Sequence, residues 1–287
     1  MNPSGWRSLL YVPAHLPRFV SKAHERGADA IILDLEDGVP DRDKEGARAT
    51  LMESIPQVAR GGASVLVRID STWRRGWRDI DAAVAAGAHG LVIPKVADAG
   101  TIGVISDFVE ELEAEAGVPV GTLPLLAVIE NARGLLAARA VAACTRVIAL
   151  IPGNEDLSLD LGLDRDAEGF GVTHIGLLLA ARAERKVVFG SVGSSTGFAD
   201  LEAFRAGAIR AKRFGFQGVT CIHPSQVGVV HEVFSPSDAE LEQARRIVAA
   251  YDAVGGGAVA VDGAMVDRPV AERARALLER VRGDGGA

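Results

Sequence analysis

Eight short apolar runs recur along most of the chain, each rich in Val, Ile or Leu with little polar alternation. They are Ser8–Val12, Ala30–Leu35, Ser64–Ile69, Gly90–Pro94, Leu125–Ile129, Arg146–Ile151, Lys186–Ser191 and Gly218–Ile222. A strand that is apolar on both sides leaves no face for water, so such runs predict parallel strands covered on both faces. Between them lie stretches with helical spacing, among them Phe19–Arg26, Asp79–Ala86, Ile102–Ala116 and Ala199–Phe214. Three end in glycine just before the next run, at Gly27-Ala28, Gly87-Ala88 and Gly215-Phe216. Glycine there supplies the left-handed residue that closes a helix. Eight strand–helix units predict an α/β fold, a (β/α)8 TIM barrel. A doubly wound open sheet is the rival, weakened because no Gly-x-Gly-x-x-Gly follows the first run.

The pattern changes near residue 236. Pro236-Ser237-Asp238 reads as the cap of a helix running to about Tyr251, and Gly255-Gly256-Gly257 breaks the chain. Val259–Val266 predicts two short strands around an Asp262-Gly263 turn, and Arg268–Arg282 a last amphipathic helix. The expected organisation is a barrel domain over 1–235 and a helical and hairpin appendage over 236–287.

At 287 residues, 48% of them hydrophobic, the chain can bury a barrel core in one unit, and 33 glycines suit many short elements joined by tight turns. A net charge of −7 argues against nucleic acid or an anionic membrane as the main partner. No apolar run reaches eighteen residues, and MNPSGWRSLL lacks the cationic and apolar segments of a signal peptide. The expectation is a soluble cytoplasmic protein. Cys144 and Cys221 share no metal-type spacing and read as buried small hydrophobes.

Barrel enzymes place their chemistry where the strands run out. Those positions hold Asp34, Glu36 and Asp37 after the second run, Arg68 and Asp70 at the third, Lys95 after the fourth, and Glu130 and Asn131 after the fifth. Asn154, Glu155 and Asp156 follow the sixth, and His223, Ser225 and Gln226 the eighth. Acids converging from adjacent strand ends, at Glu130 and at Glu155 or Asp156, suit a hard cation such as Mg²⁺ with water and substrate completing the shell. Spacing does not choose between Glu155 and Asp156, and each acid alone could serve a helix N-terminus. The six histidines form no H-x-x-x-H pair, which disfavours zinc.

Arg68 ends an apolar run, so it should lie largely buried and need an anion: a substrate carboxylate or enolate, or a structural partner in Asp34 or Glu36. Arg74, Arg75 and Arg78, interleaved with Trp73 and Trp77, could grip phosphates and stack a base, or form a solvated loop anchored by two tryptophans. Lys95 allows a Schiff-base aldolase.

These motifs resemble the citrate lyase β-subunit family, which includes malyl-CoA and citramalyl-CoA lyases and thioesterases, within the aldolase/citrate lyase superfamily. The resemblance runs through Arg7-Ser8-Leu9-Leu10-Tyr11-Val12-Pro13 and Gly27-Ala28-Asp29-Ala30-Ile31-Ile32-Leu33-Asp34-Leu35-Glu36-Asp37. It continues through Val67-Arg68-Ile69, Ile93-Pro94-Lys95-Val96, Ile129-Glu130-Asn131-Ala132-Arg133-Gly134 and Gly153-Asn154-Glu155-Asp156-Leu157. It closes on Gly215-Phe216-Gln217-Gly218, Ile222-His223-Pro224-Ser225-Gln226 and Met265-Val266-Asp267-Arg268-Pro269.

The resemblance implies a TIM barrel, a Mg²⁺ site at Glu130 and Asp156, and Arg68 on the thioester carbonyl or substrate carboxylate. It places Glu36 and Asp37 close by, Glu36 as an acid/base partner or as the residue that orients Arg68, and makes Lys95 a polar mouth residue. It implies a CoA thioester of a small hydroxy acid as substrate, with Arg74 and Arg75 candidates for the CoA phosphates. Asp267 matches a tail aspartate that enters the neighbouring subunit's site in a homotrimer or hexamer, although it could simply cap the last helix. Ala14 and His15 stand where the family usually has glycine after Val-Pro. Val172–Gly176 lacks a common early arginine, and Phe189–Val192 a usual aspartate. Rival functions are a metal-dependent aldolase of free 4-hydroxy-2-oxo acids, a malyl-CoA thioesterase, and an inactive subunit that binds an acyl carrier.

Overall fold

The computed structural model describes residues 3–164, 169–192 and 199–284, and divides into two compact units, 1–232 and 233–287. In the first, eight parallel strands alternate with helices: β1 (Ser8–Pro13), α1 (Pro17–Ala23), β2 (Ala30–Asp34), α2 (Lys44–Ala49), α3 (Leu51–Ala59), β3 (Ser64–Arg68), α4 (Trp73–Ala85), β4 (Gly90–Ile93) and α5 (Ala99–Glu115). They continue as β5 (Leu125–Ile129), α6 (Ala132–Ala143), β6 (Val147–Pro152), α7 (Asn154–Leu161), α8 (Phe170–Ala183), β7 (Val187–Val188), α9 (Leu201–Phe214), β8 (Val219–Cys221) and α10 (Ser225–Phe234).

Each strand pairs with its sequence neighbour, and β1 also pairs with β8, so the sheet curls. The remaining seam, between β7 and β8, is closed by a bridge from Phe189 to Gly218 and by bonds from Gly190 N to Gly218 O and from Gln217 N to Val188 O. This is the TIM-barrel architecture the strand–helix alternation predicts. Leu9, Ala30, Ile32, Leu66, Val92, Leu126, Val128, Ala149 and Ile151 fill the core with Trp6 and Phe189. Side chains alternate along a strand, so the inward column that holds Ile32, Leu66 and Val128 next presents Asp34, Arg68 and Glu130. The barrel's own periodicity therefore aims these three polar groups into its mouth.

Gly27, Gly87 and Gly215 have φ of 68°, 73° and 93°, the left-handed closures the sequence predicts. The seventh strand is shorter than its apolar run. Lys186 N is taken by Ala181 O in closing α8, and Ser191 O accepts from the Asn154 side chain, so neither end joins the ladder. The tryptophan–arginine segment after β3 is the start of α4, not a loop: Trp73 stacks on Trp77 at 5.1 Å, and Trp77 meets Phe108 edge-on at 4.8 Å.

The second unit contains α11 (Asp238–Ala253), the hairpin β9 (Val259–Val261) and β10 (Ala264–Val266), and α12 (Arg268–Asp284). Ser237 and Glu240 form the reciprocal cap of α11. Asp262 and Gly263, at φ 49° and 79°, make the two-residue turn that twists with its strands. Among the described residues no helix is long and apolar enough to cross a membrane.

Candidate active site

At the barrel mouth a cavity of about 480 Å³ is lined by Tyr11, Asp34, Asp37, Arg68, Glu130, Gly153, Asn154, Glu155 and Asp156, with Thr220 and Ile222 from the closing strand. A second cavity of about 460 Å³, lined by residues of α1, α2 and α3, shares none of these side chains.

Arg68 stands at the centre. Its Nε and Nη2 donate to the two oxygens of Asp34, each at 2.7 Å, and its Nη1 lies 2.9 Å from Glu36 Oε2. Asp34 is held in turn by the backbone N–H groups of Glu36 and Gly38. A Cβ at residue 38 would collide with that carboxylate, which explains glycine there. The Tyr11 ring lies 4.9 Å under the guanidinium, and burial pushes the Tyr11 hydroxyl well above its ordinary pKa. Burial pulls the Arg68 pKa down, but Asp34, Tyr11 and Glu36 outweigh it, so the cation is permanent. A guanidinium carries five N–H groups; these pairings leave one on each terminal nitrogen for an anion in the cavity.

Glu130 and Asp156 meet across the ends of β5 and β6. Burial raises the Glu130 carboxyl to about 8, with Glu36 and Asp156 adding to the rise against the backbone N–H of Lys95. Gly153 makes the approach feasible, because a Cβ there would strike the Glu130 side chain. Asp156 is half-buried in the first turn of α7 and Glu155 beside it is exposed, and both line the cavity. Among the described residues no group of three or more His, Cys, Asp or Glu side chains gathers as a metal cage. A cation at Glu130 and Asp156 would thus keep most of its shell for water and substrate, the usual habit of Mg²⁺.

Glu36 is buried, and burial raises its pKa with help from Asp37, against Arg68 and Lys95. Lys95 Nζ lies 3.1 Å from Glu36 Oε1 and 3.5 Å from the exposed Asp37. Burial pulls the Lys95 amine down, but its acidic neighbours outweigh that and hold it up at about 12. An amine so firmly protonated is a poor imine-forming nucleophile, which disfavours the Schiff-base reading.

Asp70, Asn131 and Gln226 are engaged in the fold itself, and Arg75 and Asp267 have local partners as well. Asp70 is buried on Lys44 Nζ at 2.6 Å and on Thr72. Asn131 caps α6, whose Gly134 packs where a Cβ would strike Val96 O. Gln226 accepts from the N–H groups of Ile222 and His223, and His223 pairs with Ser225. Arg75 is held by Asp70 and Asp41 at 3.2 Å each, while Arg74 is exposed. Asp267 lies in the C-terminal unit, where it accepts from Val270 N at 3.3 Å at the start of α12. Tyr11 and Gly153, which lie in the resembling motifs without a role assigned to them, join the site. Tyr11 sits among aliphatic neighbours in β1, where only its inward parity distinguishes it.

The HpcH/HpaI aldolase/citrate lyase family model matches residues 7–224. The chain belongs to this family. A (3S)-malyl-CoA thioesterase of Cereibacter sphaeroides is 38% identical to it, over 96% of this chain and 94% of that protein. A citrate lyase subunit beta of Leuconostoc mesenteroides subsp. cremoris is 32% identical, over 95% and 92%. A crystal structure of protein CitE from Mycobacterium tuberculosis, in complex with magnesium, acetoacetate and coenzyme A, superposes with a TM-score of 0.77 at 30% identity, over 96% of this chain and 98% of that one. As a citrate lyase β-subunit-like protein, the chain is an enzyme of a group of lyases and CoA-thioester-processing enzymes.

Proposed function

We propose that this enzyme is a Mg²⁺-dependent carbon–carbon lyase. Its substrate is a short hydroxyacyl-CoA thioester of the malyl or citramalyl type, with citryl-CoA a further candidate, cleaved to an oxo acid and an acyl-CoA. The observation that carries the proposal is the meeting of an acid pair, buried Glu130 with half-buried Asp156, and a clamped cation, Arg68, in one cavity. The residues fit the metal. Burial and the neighbouring Asp156 disfavour the charged form of Glu130, which a cation would restore, and Gly153 keeps the space beside Glu130 clear.

Glu130 and Asp156 would hold Mg²⁺, which supplies a Lewis acid for the hydroxyl oxygen that becomes the oxo group. Arg68 binds the thioester carbonyl through its two uncommitted N–H groups. The hydroxyl proton passes to a carboxylate at the mouth, for which the exposed Asp37 stands ready. The carbon–carbon bond breaks, and its electron pair moves onto the acyl fragment as an enolate whose charge Arg68 stabilises. Asp34 and Glu36 fix the guanidinium so that no reorganisation is needed at that moment. Glu36 thereby acts as the orienting acid, and Asp37 stands at the mouth. Arg74 is the freer of the two candidates for a CoA phosphate, since Arg75 is already engaged by Asp70 and Asp41. Asp267 protonates the enolate from a neighbouring copy in a homotrimer or hexamer, which the tail resemblance supports.

Hydrolysis of the thioester is a second reading, favoured by the 38% identity to a (3S)-malyl-CoA thioesterase. The test is incubation with Mg²⁺ and malyl-, citramalyl- or citryl-CoA, and separately with free 4-hydroxy-2-oxo acids, followed by product analysis. An oxo acid with acetyl-CoA supports the lyase, free CoA with the intact hydroxy acid supports hydrolysis, and turnover of the free acids alone overturns both.

A further inference from the structure

Three non-glycine residues among those described have a left-handed backbone: Lys95, Arg185 and Asp262. Arg185 lies in the turn after α8 and Asp262 in the tail hairpin, where reversing chains call for that conformation. Lys95 is different. It follows the end of β4 at the active-site mouth, with φ 52°, a conformation disfavoured for any residue with a Cβ. Strain of this kind persists only when the surroundings enforce it. Here they do: Val96 N bonds to Val128 O at 3.1 Å, and Val96 O packs closely on Gly134.

The conformation aims two groups. The main-chain N–H of Lys95 donates to Glu130 Oε1, and the ammonium lies between Glu36 and Asp37. Glu36 depends on this. Both its oxygens are buried without a well-formed hydrogen bond, and its charge is met by Arg68 Nη1 at 2.9 Å and Lys95 Nζ at 3.1 Å.

We infer that Lys95 is a positioning residue with two separable roles: its left-handed main chain aims Glu130 at the cation, and its ammonium holds Glu36 against Arg68. The first role belongs to the backbone and the second to the side chain, so substitution can divide them. The inference rests on the proposed Mg²⁺ site.

The experiment compares Lys95→Gly, Lys95→Asn and Lys95→Val by calorimetric titration with Mg²⁺ in the absence of substrate, and by steady-state kinetics on the thioester turned over by the wild type. Glycine and asparagine accept a left-handed backbone, so both variants should bind Mg²⁺ within about threefold of the wild type. Valine resists that backbone, and its Mg²⁺ affinity should fall by about tenfold or more. All three lack the ammonium, so kcat should drop by about tenfold or more in each while KM moves less. Should the valine variant fail to fold, Lys95→Thr, which is also β-branched, carries the same arm. A residue that merely stabilised the fold would change melting temperature and not divide metal affinity from kcat in this way. Equal Mg²⁺ affinity in the glycine and valine variants, or unchanged kcat in Lys95→Gly, overturns the inference while the proposed function stands. A wild type that binds no Mg²⁺ overturns the proposed metal site, and the inference with it.

Discussion

Asp34 and Arg68 face each other in the register of β2 and β3, and their side chains meet in a two-point pair at 2.7 Å on both arms. Parallel neighbours of the same parity point the same way, so this pair is a direct product of the strand pairing. It spends part of the guanidinium on rigidity and leaves the rest facing the cavity. The cost of burying Arg68 is offset within the barrel rather than by substrate, which keeps the cation in place before anything binds.

Arg68→Lys retains a charge but loses the planar fork that Asp34 grips. We expect kcat/KM to fall by roughly 10² or more, with Mg²⁺ affinity unchanged. Steady-state kinetics beside a Mg²⁺ titration checks this, and near wild-type kinetics would remove Arg68 from the transition state.

Gly153→Ala tests the closeness of Glu130 to the end of β6. The added methyl collides with the Glu130 carboxylate and with its Cβ, so turning the side chain cannot relieve the clash and the ends of β5 and β6 must shift apart. Stability should fall by about 1–3 kcal/mol, as overpacking does, and Mg²⁺ binding should weaken with it. A thermal melt and a titration on the same sample read both effects; an unchanged titration would show that the approach is not needed for the metal.

Glu130→Gln and Asp156→Asn should each abolish Mg²⁺ binding and turnover without loss of the fold. Burial already favours an uncharged Glu130, so the glutamine variant should melt no lower than the metal-free wild type. Calorimetry showing unchanged Mg²⁺ affinity in both variants rules out this ligand pair.

Much of this site is legible in the periodicity of the chain. Asp34, Arg68 and Glu130 share inward parity with the apolar residues two positions earlier, and each falls where its run ends, so counting by twos along the strands finds them. The rest depends on contacts between distant segments. Gly153 owes its identity to a side chain from another strand, and the left-handed turn at Lys95 is set by Val128 and Gly134, none of which local pattern reports. Asp70 has the sequence position of a rim residue but faces Lys44 and Thr72 instead. The seventh run outlasts its strand because apolar character persists beyond the point where α8 and Asn154 take its end groups.

That buried Lys44–Asp70 pair gives stability a pH dependence. Burial pulls the Asp70 carboxyl upward, but the hydrogen bonds from Lys44 and Thr72 and the Lys44 charge outweigh it and bring it down to about 2, against an ordinary 3.8. Because the folded pKa is the lower one, the contribution is complete above about pH 4 and is lost as pH falls through 2. Its size is roughly 2 kcal/mol. Asp70→Asn should therefore cost most of that at pH 7, with the gap to wild type narrowing at pH 3, as read by urea midpoints. An equal gap at both values would assign the loss to packing.

Asp267 separates a local from a distant role. Its carboxylate accepts from Val270 N at the start of α12, a task asparagine performs about as well. Asp267→Asn should leave the melting temperature and Mg²⁺ affinity unchanged, because cap and metal ligands are intact. If the carboxylate protonates the enolate in a neighbouring copy, turnover should still fall, by about tenfold or more for a group that transfers a proton in the rate-determining step. Mixing then distinguishes copies. Glu130→Gln and Asp267→Asn subunits, unfolded together and reassembled, should recover part of the activity, since some interfaces pair an intact metal site with an intact tail. Full activity in Asp267→Asn alone would leave the residue a helix cap, and verified mixed oligomers without any recovery would confine each site to one chain.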